Sequence, residues 1–374
     1  MKRIVGVLFF SVLAVVVIGE GMLTHSRFQA QAQGRGRGNN PEAEAARARQ
    51  EALEKSTPQL QITEDVLHLV IPGHTIGEAV GVAKNSKGHL FVYSRTGASG
   101  SARGQVAAEL FEFDPQLKFV KQWGPDNYAA SFAHVVRVDK YDNVWMVDEG
   151  SGMIVKYDPN AYVTMVLGRK PEAIDFLERY LERGEKLEER YPVGNAGSFN
   201  RETDVTWDSQ DNIYVSDGYG NSRLAKMRKD GTWVKAVGTH GSGPNQFSTP
   251  HGITSDAQGN IYVADRGNNR IQVYDTDLNF KKTITGMGAP WSVCTTPGPR
   301  QYLYSGDGGN GKIYKFDMDG KLLGWAQTSL GHGQSTCLIH EIHCESEAVI
   351  YKGDCSTWTV EKITVKGGGA ATGR

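Results

Sequence analysis

Residues 251–279 read HGITSDAQGNIYVADRGNNRIQVYDTDLN. Asn260-Ile261-Tyr262-Val263-Ala264-Asp265 alternates polar and apolar side chains with the period of two that marks a strand, and the polar Asp256–Asn260 before it marks a turn. A third, aromatic strand follows. The same plan recurs as HVVRVDKYDNVWMVDEGSGMIVKYDPN from His134 and as TDVTWDSQDNIYVSDGYGNSRLAKMRKDG from Thr203. Weaker copies begin at Val80 (VGVAKNSKGHLFVYSR), Trp291 (WSVCTTPGPRQYLYSGDGGNGKIYKFDMDG) and His340 (HEIHCESEAVIYKGDCSTWTVEKI). Self-similarity at a period of ~40–50 residues marks a propeller or a repeat array. A single small sheet cannot bury both of its faces, whereas packing such sheets around an axis does. The expectation is an all-β, six-bladed β-propeller over residues 59–366. The last unit runs out near Val365 after three strands, and the unused strand-like segment Leu60–Ile71 is expected to close the ring as the outer strand of blade six.

Outward from the repeats the composition changes. Lys2 and Arg3 precede an apolar run from Ile4 to Gly19, and Ala30-Gln31-Ala32 supplies small residues at cleavage spacing, so residues 1–32 read as an export signal. The apolar run is shorter than the ~20 residues of a spanning helix, so no stable membrane span is expected after cleavage, with an uncleaved N-terminal anchor as the alternative. Export places the chain outside the cytoplasm, secreted or periplasmic. Residues 33–58, with little apolar content, read as a flexible linker, and the Gly-rich 367–374 as a flexible tail. Within the repeats, PEAIDFLERYLERGEKLEERY (Pro171–Tyr191) spaces its apolar residues as an amphipathic helix, a short helical insertion at 170–191 between blades two and three. It decorates the rim or covers the mouth as a lid. The 45 glycines among 374 residues fit a turn-rich fold. A net charge of −1, with no basic patch, argues against a nucleic-acid partner.

Aligned by the turn carboxylates Asp139, Asp208 and Asp256, the first innermost-strand position of the six units reads Val80, His134, Thr203, His251, Trp291, His340. Histidine occupies alternate blades, which lie ~120° apart in a six-fold ring, so three imidazoles point at one centre. Three imidazoles with an open fourth position are the ligand set of catalytic zinc. A second column, Asp148, Asp217, Asp265, Asp307 and Asp354, recurs too regularly for a catalytic role and reads as turn capping. The residue that follows varies. Arg95 and Arg266 occupy equivalent places across the ring, and arginine suits a bidentate grip on a carboxylate. Tyr219, one place further on in blade three, brings a phenol to the same mouth. Cys294, Cys337, Cys344 and Cys355 allow three full pairings in an oxidising compartment. A hairpin turning at Ser346 places Cys337 opposite Cys355, since each lies nine residues from that turn.

The blades resemble NHL-type repeats, and their order is similar to the lyase domain of the peptidylglycine α-amidating enzymes, peptidyl-α-hydroxyglycine α-amidating lyase. The matching stretches are FAHVVRVDKYDNVWMVDEG, VLGR at 166–169, TDVTWDSQDNIYVSDGYGNSR and NQFSTPHGITSDAQGNIYVADRGNNRIQVY, within a resemblance spanning 80–365. It implies zinc on His134, His251 and His340, an active-site tyrosine at Tyr219 and active-site arginines at Arg95 and Arg266. It also implies a calcium held by the carbonyls of Val82 and Val136 and by Glu341, where the family has Asp. The chain departs from the family at Leu338, where the family has Met, and at Gly220, where it has Cys, so the family's disulfides are absent. The implied reaction cleaves a carbinolamide C–N bond of a small-molecule or peptide substrate to an amide and glyoxylate. The alternatives are a non-catalytic propeller that binds a peptide, glycan or protein, and a metal-dependent hydrolase or lactonase using the same axial cavity. The sequence is silent on oligomeric state.

Overall fold

The computed structural model describes residues 41–97, 100–101, 107–168, 197–329 and 337–366. The chain divides into two compact units, 1–49 and 50–374. In the first, residues 41–49 are helical, the opening of a helix that spans Pro41–Ser56. The second is the propeller, and six four-stranded antiparallel sheets form its blades. Their innermost strands are Ala79–Lys84, Ala133–Val138, Asp204–Trp207, Pro250–Ser255, Pro290–Thr295 and Glu341–Cys344. Each touches the next, and the sixth touches the first, so the ring closes. In blade six, Gln61–Val66 forms the outer strand on Thr359–Lys366, with Gln61 opposite Lys366 and Val66 opposite Glu361. The first and last strands of the propeller thereby share one sheet.

Packing follows from the repeat. Among the described residues the apolar side chains gather into six clusters, one for each blade interface. Between blades one and two, for example, Phe91 and Tyr93 meet Val136 and Met146. Both faces of every sheet are thus buried, as the two apolar positions in each strand require. The turn Asp is equally regular. Asp139, Asp208 and Asp256 each accept the backbone N–H four residues on. They also accept the ring N–H or O–H six residues on, from Trp145, Tyr214 and Tyr262 at 2.8–2.9 Å.

The expected linker at 33–58 requires correction where it is described. PEAEAARARQEALEKS is rich in Ala, Glu, Arg and Lys, strong helix formers, and it is helical. Its last turns dock on blade five through polar groups. Glu54 is buried and accepts from Tyr314 Oη at 2.6 Å and Lys312 Nζ at 2.7 Å, while Trp325 Nε1 donates to its carbonyl at 3.0 Å. Burial pushes the Glu54 carboxyl up, but these donors and Gln50 outweigh it and hold the group below its ordinary range. The segments 1–32, 170–191 and 367–374 lie outside the described residues. Among those described, no helix is long and apolar enough to cross a membrane.

Two disulfides join Cys294 to Cys344 and Cys337 to Cys355, with Cα separations of 5.7 and 5.6 Å. Glu341 stands opposite Gly353, so the hairpin of blade six centres one residue beyond Ser346, and Cys337 reaches Cys355 from the segment leading into the sheet. The other pair staples blades five and six. Disulfides form and persist in oxidising compartments, which makes this an extracytoplasmic chain in its chemistry.

Candidate metal centre

The three histidines stand at the mouth end of their innermost strands because the segments leading into those strands are tied down. Buried Asp148 accepts the N–H groups of Ser131 and Phe132 just ahead of His134. Asp265 accepts Ser248 N just ahead of His251, and Asp217 accepts Asn200 N ahead of Thr203. Asp148, Asp217 and Asp265 are therefore anchors for the column rather than members of the site, while Asp307 and Asp354 cap their own turns.

His134, His251 and His340 are buried, at 0–1% exposure, and their ligand nitrogens all lie within 4.8 Å of one another. Their ring centroids are 4.5, 4.7 and 5.1 Å apart. Each Nδ1 faces a backbone carbonyl of the next blade: His134 meets Thr203, His251 meets Trp291 at 2.7 Å, and His340 meets Val80 at 2.8 Å. A carbonyl can only accept, so each Nδ1 carries the proton and each Nε2 keeps its lone pair. Thr203, Trp291 and Val80 are the non-histidine members of the same column. Odd blades thus hold the tautomer of the imidazoles on even blades, the supporting contact that metal-binding histidines require. Burial pushes all three well below the ordinary histidine range, with further help from the guanidinium groups and, at His134 and His251, from the adjacent imidazoles. Neutral imidazoles are what a metal needs. His134 Nε2 is also buried with no hydrogen-bond partner among the described residues, so the set fits a divalent cation.

The other expected residues surround this centre. Tyr219 Oη lies 3.2 Å from His251 Nε2 and accepts from Arg266 Nη1 at 3.3 Å. Arg266 also lies over Trp291, 4.4 Å from the ring centre. Across the mouth, Arg95 Nη2 is 3.3 Å from His340 Nε2, its Nε donates to Ala133 O at 2.8 Å, and its guanidinium lies over Phe132. Glu78 stands 3.6 Å from Arg95 Nη1. Tyr219 sits between two glycines with no room for a side chain. A Cβ on Gly218 would come within 2.0 Å of Pro250 O, and one on Gly220 within 2.2 Å of Asn200 Cγ. Cysteine at Gly220 is thereby excluded unless Asn200 moves.

Val82, Val136 and Glu341 also come together, but they do not fit calcium. Glu341 Oε2 accepts the N–H of Val82 at 2.8 Å and of Val136 at 3.3 Å, and its Oε1 lies 2.9 Å from Arg137 Nη1. Arg137 in turn grips Asp204 through Nε at 2.9 Å and Nη2 at 2.6 Å, and donates to Ile342 O. Asp204 accepts Ile253 N at 2.9 Å, and Ser292 Oγ accepts Ile342 N at 3.0 Å. A buried guanidinium hub therefore links all six blades where a hard cation was expected. Calcium needs several free oxygens, and here a fixed positive charge adjoins the carboxylate.

Two site residues escaped the sequence reading. Glu149 is 4% exposed, with Oε2 3.7 Å from His134 Nε2 and Oε1 accepting from Arg201 Nη2. Arg201 stacks on Tyr219, 4.6 Å from its ring centre. The signal for Glu149 was present in the sequence, since it follows Asp148 as Arg266 follows Asp265.

Comparison with known proteins agrees with this architecture. A model of the NHL repeat matches residues 247–274, the heart of blade four. Human NHL repeat-containing protein 3 is 31% identical over 216 residues, 55% of each chain. A Caenorhabditis elegans protein named a probable peptidyl-alpha-hydroxyglycine alpha-amidating lyase is 24% identical over 269 residues, 67% of this chain and 71% of its own. The match thus spans only about half the length of the human relative. Among solved structures, virginiamycin B lyase from Staphylococcus aureus superposes with a TM-score of 0.54 at 12% identity, covering 82% of this chain and all of its own, a likeness of fold alone. The chain is a six-bladed propeller with an NHL repeat in blade four, and it is similar over part of its length to NHL repeat-containing protein 3 and, more distantly, to the amidating lyases.

Proposed function

We propose that the chain is a zinc-dependent carbon–nitrogen lyase that acts outside the cytoplasm, after removal of residues 1–32, on an α-hydroxyglycine-type carbinolamide. The products are an amide and glyoxylate. The observation that carries this reading is the convergence of three neutral, buried Nε2 atoms beside a phenol and two guanidinium groups. A divalent cation held there supplies Lewis-acid polarisation of a substrate oxygen.

The remaining work falls to the chain. Arg266 and Arg95 present planar N–H forks to the substrate carboxylate from opposite sides of the mouth. Tyr219 Oη, held between His251 and Arg266, relays the proton as the C–N bond breaks, giving its own phenolic hydrogen to the departing amide nitrogen and taking the substrate hydroxyl hydrogen in its place. Proton and electron pair balance: O–H becomes C=O, and the C–N pair leaves with nitrogen. Trp291 and Phe132 wall the mouth with aromatic faces against which both guanidiniums lie.

The test is glyoxylate release from an N-acyl-α-hydroxyglycine by protein of known metal content. Release that follows zinc occupancy and vanishes in His251→Ala supports the assignment. Fully loaded protein that releases none overturns it. Acid release from a lactone in the same screen would make the site a hydrolase, and silence toward both would make the propeller a binding scaffold.

A further inference from the structure

We propose that Glu149 is the anionic member of the metal centre and sets how tightly the three imidazoles hold a divalent cation. The inference rests on reading those imidazoles as a metal site, and its basis is position and charge balance. The residues that follow the anchoring position of each blade form a ring above the histidines: Arg95, Glu149, Gly218, Arg266, Gly308 and Cys355. Glu149 is the one anion among them, in a ring with two guanidiniums. Arg95 Nη2 already stands 3.3 Å from His340 Nε2. Three neutral imidazoles bring no negative charge against that field, and the Glu78 carboxylate beside Arg95 is part-exposed, so cation binding is opposed unless a buried carboxylate offsets it.

Glu149 meets the requirement. Its Oε2 is buried, has no hydrogen-bond partner among the described residues, and lies 3.7 Å from His134 Nε2. A buried carboxylate oxygen without a donor is costly unless it serves a cation or a ligand. Arg201 takes only the other oxygen. That guanidinium is 53% exposed against 4% for the carboxylate, so water screens its charge while that of Glu149 acts nearly unscreened on the centre. Arg201 is held in the left-handed backbone region, φ 61°, a conformation few non-glycine residues adopt and one that collects at functional sites.

The test is the affinity of the purified full chain for Co²⁺ and Zn²⁺, measured by chelator competition for wild type, Glu149→Gln, Arg201→Met and His251→Ala, with the visible spectrum of the cobalt forms alongside. Glu149→Gln keeps the shape and removes the charge. It is expected to weaken binding by about 10–100-fold, the usual effect of losing a supporting carboxylate, with a changed cobalt spectrum. Arg201→Met, which removes a competing cation, is expected to bind at least as tightly as wild type. Equal affinities and spectra for wild type and Glu149→Gln overturn the proposal and leave the imidazole site standing. A wild type that binds neither ion overturns the imidazole reading itself. Thermal midpoints of the metal-free variants show that a lost affinity is not a lost fold, and weakened binding in Arg201→Met counts against the charge argument even if Glu149→Gln cannot be purified.

Discussion

Replacing Arg137 by Met removes the guanidinium of the axial hub while keeping an unbranched chain in its place. Arg137 pairs with Asp204 and Glu341, both almost completely buried, so the variant leaves two carboxylates without their counter-charge. Breaking a buried ion pair from one side costs about 3–5 kcal/mol. The unfolding entropy of a propeller of roughly 300 residues, at about 2.1 cal/mol/K per residue, converts that loss into a fall in melting temperature of about 5–8 °C. The assay is scanning calorimetry of zinc-replete wild type and Arg137→Met, each with and without added calcium. The wild-type midpoint should ignore calcium, because the hub already supplies the positive charge. Arg137→Met should melt lower and gain from calcium, since its buried pair of carboxylates, stripped of the counter-charge, resembles a hard-cation site. A wild-type midpoint that rises with calcium, or a variant that melts with wild type, would show that the guanidinium does not stand in for an ion.

Reduction is expected to destabilise the propeller at both staples. The loops closed span 50 and 18 residues, worth about 4 and 3 kcal/mol in chain entropy, which urea titration of Cys294→Ala/Cys344→Ala and Cys337→Ala/Cys355→Ala would resolve. His343 should make the fold acid-sensitive. Burial, then Arg137 and Lys84, pushes its pKa down to about 3. The unfolded imidazole, at about 6.5, takes up a proton first as pH falls. Its contribution is therefore complete above about pH 6.5 and is lost below it, at no more than about 1.4 kcal/mol per pH unit. His343→Leu should flatten the decline in urea midpoint between about pH 6 and 4, and a variant that declines as steeply as wild type removes His343 as the cause.

The blades were legible because their chemistry is local and repeated. Asp139, Asn143 and Trp145 reappear as Asp208, Asn212 and Tyr214, and again as Asp256, Asn260 and Tyr262, each trio closing its own turn. The histidine column was legible for the same reason: a register shared by all blades converts sequence position into angle around an axis. Helix Pro41–Ser56 was not, because hydrophobic periodicity reports only apolar faces. This helix docks through Gln50 and Glu54 on Tyr314 and Lys312, polar groups whose partners stand more than 250 residues away.

Repetition also hides what breaks it. Arg137 sits in an innermost strand where a repeat reading sees only alternation, yet its partners come from blades three and six, and nothing in one blade announces the pairing. Glu149 is the same case at the mouth. Read along blade two, it is one more polar residue after an anchoring Asp. Read around the ring, it is the single anion between guanidiniums, beside the imidazole whose Nε2 has no hydrogen-bond partner among the described residues. In a propeller the scaffold is written along the chain and the chemistry around the axis. The positions that depart from the repeat, once placed at one height of the ring, are therefore where a distinct substrate or metal preference should be sought.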